Sequence, residues 1–420
     1  MLLARRTPTD LAPAVPTLGW WASLRFAYDP DGFLAVGRAL GANQIASDFG
    51  PRPGPWAFHL NGRRVLVACE REAADAVLRG PTRFYRGDVL APLLGRTSPL
   101  LDIVPRPDDA PGAGDPYRAA APNRPPADTD GGVLERVIDR AIWDHVWAIR
   151  VAGAFDIAPA LYRAAVQVAL RALGVARHGF NVEPHPDAVA AAAEALLNAA
   201  DTPALVVPGL RRWSPRWRRL AGAREAFLRA IGLGSDPRIS QVQRVTPWGD
   251  TAAGEEGLER AQDRAVTTLI GAVDAPVALA LDALVSPPEP GPEDLEARRE
   301  ADGPAGTRAL GARRKVGTAL RWRGPIPLLL REVTAPLEVP GLGLLPRGTA
   351  VAVDAAGAGF PFGWGPHACA GARLGRAFAE ATVRVCSYLG LEVARRPGRR
   401  VRRRLVATLP ALWMRVEGAG

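Results

Sequence analysis

A chain of 420 residues, 48% hydrophobic and with a formal charge of +10, is long enough to bury a large core and too apolar to stay disordered. Glycine and proline number 44 and 40, short of the ~25–30% share that marks low complexity. The positive charge is almost wholly arginine, Lys315 being the single lysine, and basic clusters such as residues 211–219 match no nucleic-acid-binding motif, so no nucleic-acid partner is expected. Three cysteines, Cys69, Cys369 and Cys386, are an odd number in a long chain, which fits a reducing cytoplasm better than a disulfide framework. The first residues carry too short an apolar run for a secretory signal. The most apolar later stretch, 265–285, is interrupted by Asp274, Pro276 and Asp282, so it reads as a buried helix and no membrane partner is expected.

In chain order, residues 1–50 carry aromatic and proline punctuation, including Trp20, Trp21, Phe26, Tyr28 and Pro30, and predict a peripheral loop with a short helix. Residues 57–69 alternate around Asn61 and Gly62, the signature of a hairpin, and 70–79 follow as a helix. Residues 105–130 are dominated by proline, glycine and aspartate and predict a long loop. Helical periodicity returns over 133–151, 157–173, 186–200 and 220–232, with 211–219 on a connection. A proline-rich, charged stretch, 286–311, links the apolar helix to strand-like pieces at 328–333, 337–339 and 349–353. A helix over 371–389 and an alternating basic tail, 399–416, close the chain. There is no internal repeat and no clear boundary, so one domain spanning 1–420 is expected.

Residues 360–376 read FPFGWGPHACAGARLGR. Glycines 363 and 365 permit a tight turn before Cys369, Gly371 permits close approach of a flat ligand, and a helix begins at once. A thiol at a helix N-terminus is stabilised as thiolate, the form that binds a metal. A free cysteine is more commonly a small buried hydrophobe, and for Cys69 and Cys386 that reading is preferred. It does not explain why Phe362, Gly363, Gly365, His367, Cys369 and Gly371 occur together.

The segment resembles the haem-binding loop of the cytochrome P-450 family, Phe-x-x-Gly-x-x-x-Cys-x-Gly. The resemblance implies a mostly α fold with a small β region, with haem between the long distal helix and the helix after the cysteine. It implies haem b with Cys369 as the axial ligand of the iron, His367 at a propionate, and Phe362, Gly363 and Gly371 around the cofactor. Residues 319–331 are similar to the family's K-helix and following strand, which puts Arg331 where a haem propionate is bound; the alternative is a solvated strand arginine. Residues 346–349, the hairpin at 57–69 and residues 155–162 extend the likeness over most of the chain from about residue 50.

Three departures accompany the resemblance. The K-helix glutamate is replaced by Thr318, and the loop that would supply the second arginine of that network is reduced to residues 354–359. Arg321 is therefore expected to be exposed or re-paired, with Asp354 as the candidate. On the long helix Asp274 occupies the acid position and Ala275 replaces the distal threonine, so the catalytic pair is Asp274 and Ala275, with weakened proton delivery. Asp274 acts either as a relay acid or only as a cap on the kink at Pro276. Tyr117 or Arg118 stands in for the usual propionate-contacting base. Ile326, Pro327 and Leu328 are expected to line a pocket beside the long helix. Arg373 and Arg376 are either solvated or a docking face for an acidic ferredoxin with its reductase.

The resemblance thus implies a haem-thiolate oxidoreductase, a monooxygenase or related tailoring enzyme acting on a small specialised metabolite. The alternative is a non-catalytic homologue that activates or scaffolds a partner enzyme. The intact cysteine loop counts against it.

Overall fold

The computed structural model describes residues 15–19, 29–42, 54–60, 63–84, 131–150, 153–172, 186–200, 215–231, 244–245, 251–252, 254–289, 303–365, 368–369, 371–403 and 406–417. The loop expected over 105–130, with Tyr117 and Arg118, lies outside them, as do Asn61, Gly62 and His367.

The first described helix, α1 (Pro30–Ala42), starts under Asp29, whose Oδ1 accepts the Gly32 N–H at 3.0 Å. It packs on a hairpin of β1 (Trp56–Leu60) and β2 (Arg63–Ala68), paired in the register Trp56 to Val67 and Leu60 to Arg63 that the Asn61-Gly62 turn predicts. Helix α2 (Arg71–Arg79) and strand β3 (Thr82–Phe84) follow.

The strands that complete this sheet come from the far end of the chain. They are β7 (Leu328–Val333) and β10 (Ala350–Asp354), giving the order β1-β2-β10-β7-β3. Strand β10 runs parallel to β2 and antiparallel to β7. Strand alternation sends its side chains to two separate cores. Val351, Val353, Leu66 and Val333 pack under α2 with Phe360, whereas Val65, Val67, Ala350, Ala352 and Leu328 pack against Phe33 and Trp56 below α1. Leu328 therefore serves the α1 side of the sheet and is not the pocket residue that was expected.

The helical body comprises α3 (Gly131–Ile149), α4 (Ala158–Ala172), α5 (Pro186–Ala200), α6 (Pro215–Ala230), α7 (Gly254–Val285), α8 (Gly303–Arg323) and α9 (Ala372–Tyr388). Helix α7 carries buried Val266, Leu269, Val273, Val277, Leu281 and Leu284 at three- and four-residue spacing. From Val277 to Leu284 every side chain is buried, which makes α7 the axis against which α4, α8 and α9 pack. Three expected boundaries move. Helix α7, expected over 265–285, begins eleven residues earlier, at Gly254. The other two involve proline. Residues 215–219, assigned to a connection, form the start of α6, and 303–311, assigned to a linker, are the first turns of α8. In both a proline stands in the first turn, where its missing N–H costs nothing.

Shorter strands sit outside this frame: β4 (Phe155–Asp156), β5 (Arg244–Val245), β6 (Thr251–Ala252), β8 (Leu337–Val339), β9 (Gly343–Leu345), β11 (Leu391–Val393), β12 (Val401–Arg403), β13 (Val406–Thr408) and β14 (Trp413–Val416). The architecture is the mostly α fold with a small β region read from the sequence. Among the described residues no helix is long and apolar enough to cross a membrane.

Candidate functional site around Cys369

The turn that delivers Cys369 is built from glycine. Gly363 and Gly365 have φ of 70° and 68°, the left-handed region that side chains disfavour. At Gly365 a Cβ would meet the Leu78 carbonyl oxygen at 3.1 Å, so the loop lies directly against the end of α2. The Cys369 N–H donates to the Phe362 carbonyl at 2.8 Å, closing the loop across its base. Helix α9 then starts at Gly371, its N-cap, whose carbonyl accepts the Gly375 N–H.

Cys369 is exposed, whereas Cys69 and Cys386 are buried with their thiols pushed up to about 12 by desolvation. The Cys369 thiol is also raised by its partly desolvated setting, opposed by a hydrogen bond from the Gly371 backbone. The helix terminus alone therefore does not make a thiolate here. A bound cation reverses that balance, because coordination deprotonates a thiol outright. Gly371 lies beside the sulfur, where a Cβ would stand in ordinary contact 3.8 Å from Sγ.

The expected site residues divide into those the fold gathers and those it leaves apart. Phe362 packs on the main core under the guanidinium of Arg376, 5.4 Å from its ring centroid. A Cβ on Gly375 would touch both the Phe362 ring at 3.8 Å and Pro276 of α7 at 3.9 Å, so α7 reaches the cysteine loop just beyond Asp274 and Ala275. Asp274 is buried and Ala275 half-buried. Pro276 lies within α7 and cannot donate to the Ala272 carbonyl, a defined kink site beside the loop.

Arg331 is not a solvated strand arginine. It is 1% exposed and on strand alternation shares the sheet face of Val333 and its partner Val351, the face that Phe360 covers. Burial lowers its pKa to about 10, and its Nη1 donates to the Leu330 carbonyl at 3.0 Å. The fold thus holds a cation in an apolar setting near the start of the cysteine segment. Arg373 and Arg376 are exposed on the first turns of α9.

Arg321 is re-paired, but not to Asp354. Its Nη2 lies 3.6 Å from Glu289 Oε2 and 3.4 Å from Thr318 Oγ1, at the surface, and Trp322 Nε1 donates to the same glutamate. Asp354 is instead gripped by Arg38 of α1, through Nε at 2.6 Å and Nη2 at 2.8 Å. A second cluster places buried Arg400 3.7 Å from buried Asp282 and 3.4 Å from the exposed Asp31, while Arg400 also donates to the carbonyls of Arg323, Gly324 and Ala407. Neither network has a sequence signal, because the charged partners are more than a hundred residues apart.

No protein-family model and no curated protein matches the chain. Solved structures do. CYP175A1 from a Thermus thermophilus strain aligns with a TM-score of 0.62 at 17% identity, covering 96% of this chain and 99% of that one. P450 OxyD, involved in the biosynthesis of vancomycin-type antibiotics, aligns with 0.61 at 17% identity over 92% and 97%. CalO2 aligns with 0.59 at 19% identity over 86% and 93%. The chain has the cytochrome P450 fold.

Proposed function

We propose that this chain is a single-domain haem-thiolate oxidoreductase, a monooxygenase or related oxidative tailoring enzyme acting on a small organic metabolite. The observation that carries the reading is the exposed Cys369 thiol, offered at the start of α9 from a glycine-built loop on a P450 fold whose other two cysteines are buried. Involvement of P450 OxyD in antibiotic biosynthesis supports a specialised metabolite as substrate.

Haem b, when bound through Cys369, supplies activation of dioxygen with electrons from a redox partner, proposed to be of the ferredoxin type. The chain's own residues do the rest. Cys369 would hold the iron through its sulfur, the Gly371 backbone hydrogen bond offsets part of the desolvation that raises the thiol, and Phe362 closes the side toward the core. Arg331, buried at 1% exposure, would bind a propionate carboxylate, for which a buried guanidinium is suited. His367, outside the described residues, is proposed at the second propionate. Asp274, buried on α7, would hold and pass on a proton, since Ala275 beside it offers no hydroxyl. Arg373 and Arg376 present positive charge to an acidic electron donor in the cytoplasm.

The test is the optical spectrum of the purified protein, reduced with dithionite under carbon monoxide. A Soret band displaced far to the red establishes thiolate ligation, and Cys369→Ser is expected to abolish it. A band at the ordinary position, or no haem uptake after supplementation, rejects the assignment.

A further inference from the structure

Asp354 is the last residue of β10, and residues 355–359 alone separate it from Phe360, where the cysteine segment begins. The carboxylate is fully buried and does two things at once. It receives the Arg38 guanidinium through two charge-assisted bonds, and its Oδ1 accepts the Gly357 N–H at 3.0 Å. Its main-chain carbonyl accepts the Ala358 N–H at 2.9 Å, and the next carbonyl, of Ala355, accepts the Phe360 N–H at 2.8 Å. The turn is therefore wound around this one side chain.

Fit is tight on every side of it. A Cβ on Gly357 would stand 2.6 Å from Asp354 Oδ2, so the turn closes down to the carboxylate itself. The helix bearing Arg38 is seated as closely, since a Cβ on Gly37 would fall 2.5 Å from the Trp56 ring and one on Gly41 2.1 Å from the Gly54 carbonyl. Beyond the turn the Phe360 ring stacks on Trp364 at 5.7 Å and lies under the Arg71 guanidinium at 4.9 Å, and Gly365 rests on α2. Order passes from Arg38 through Asp354 to Phe360, and from there to the loop that carries Cys369. The Arg321 and Glu289 pair, at the surface, makes no such connection to the turn.

We propose that Arg38 and Asp354 are positioning residues for the Cys369 loop, an anchor reaching from the N-terminal helix through the turn at 355–359 to the presentation of the thiol. The proposal rests on the haem-thiolate reading for its purpose, but not for its test. Arg38→Gln leaves the buried Asp354 charge without its partner and Asp354→Asn removes the acceptor the partly exposed Arg38 grips, so both should loosen the turn before the rest of the fold.

The experiment is hydrogen exchange on the full-length chain prepared without haem, read in peptides spanning 355–369 and, as internal reference, 158–172. Asp354→Asn and Arg38→Gln are expected to speed exchange at 355–369 by about tenfold while 158–172 holds its wild-type protection. Arg38→Lys, which keeps the charge but not the forked contact, should fall between. Leu161→Ala, in the core of α4, is the destabilised control and should show the reverse pattern. In haem-loaded protein the same anchor variants should lose at least about half of the red-shifted carbonyl band while Leu161→Ala keeps it. Uniform acceleration across both peptides, or unchanged protection at 355–369, overturns the anchor. Failure of wild-type protein to give a red-shifted band rejects the haem assignment and leaves the exchange result to decide the anchor.

Discussion

The Nε of Arg400 lies 3.7 Å from a carboxylate oxygen of Asp282, with both side chains closed off from water. Neither oxygen of Asp282 accepts a hydrogen bond among the described residues, and burial pushes its carboxyl up to about 7 despite the nearby Arg400 charge. The folded chain therefore holds a proton on Asp282 that the unfolded chain releases near pH 4. Stability contributed here falls as pH rises from about 4 to about 7 and is level above that. Melting temperatures of wild type and Asp282→Asn, taken between pH 5 and 8, should draw apart with rising pH, the variant keeping the stability that wild type loses. Parallel curves would show that Asp282 does not titrate in this window.

Alkylation separates the cysteines. Iodoacetamide at pH 8 is expected to modify Cys369 in the haem-free chain and to leave Cys69 and Cys386 intact, because both are buried with thiols near 12. Mass spectrometry of digests gives the sites. Prior haem supplementation should protect Cys369, and labelling that persists at the same rate would contradict its role as ligand.

Arg331 sets stability against cofactor retention. Arg331→Met trades a guanidinium that burial disfavours, but that donates to the Leu330 carbonyl, for an apolar chain of similar length, so the haem-free variant should melt close to wild type. The same variant should lose haem about tenfold faster, if a propionate is what the guanidinium binds. Equal loss rates would assign Arg331 to the sheet alone.

Gly365→Ala places a side chain at φ 68° and 3.1 Å from the Leu78 carbonyl. A cost of about 1–2 kcal/mol from the left-handed backbone alone is expected in urea unfolding, before the clash is counted. Gly222→Ala, inside α6 with nothing within 4 Å of the new carbon, should instead stabilise by about 0.5–1 kcal/mol.

Features carried by local sequence were legible. Asn61 and Gly62 between two alternating runs signalled the hairpin of β1 and β2, periodicity located α4 and α5, the apolar run 265–285 marked the C-terminal part of α7, and the glycines around Cys369 announced the loop and the start of α9. What depended on distant contacts was not. Nothing near Arg321 in the chain distinguishes Glu289 from Asp354 as its partner, since that choice is made by how α1 lies on the sheet. The prolines of α6 and α8 misled for a related reason. Read locally they break helices, but in the first turn they begin them. The faces of β7 required knowing which neighbours cover each side, and so Leu328 was placed wrongly and the burial of Arg331 left open.

The sheet interleaves strands from opposite ends of the chain, with β10 inserted between β2 and β7, so that β2 has its second neighbour only when residue 351 and its successors arrive. During synthesis at ~5–20 residues per second, the hairpin of β1 and β2 waits tens of seconds with an open apolar edge. Helices α4 and α7 have one another to pack against long before then. The β1–β2 hairpin is thus secured late, and a nascent chain halted before β10 is expected to be vulnerable to proteases and to edge-to-edge association at Val65, Leu66 and Val67.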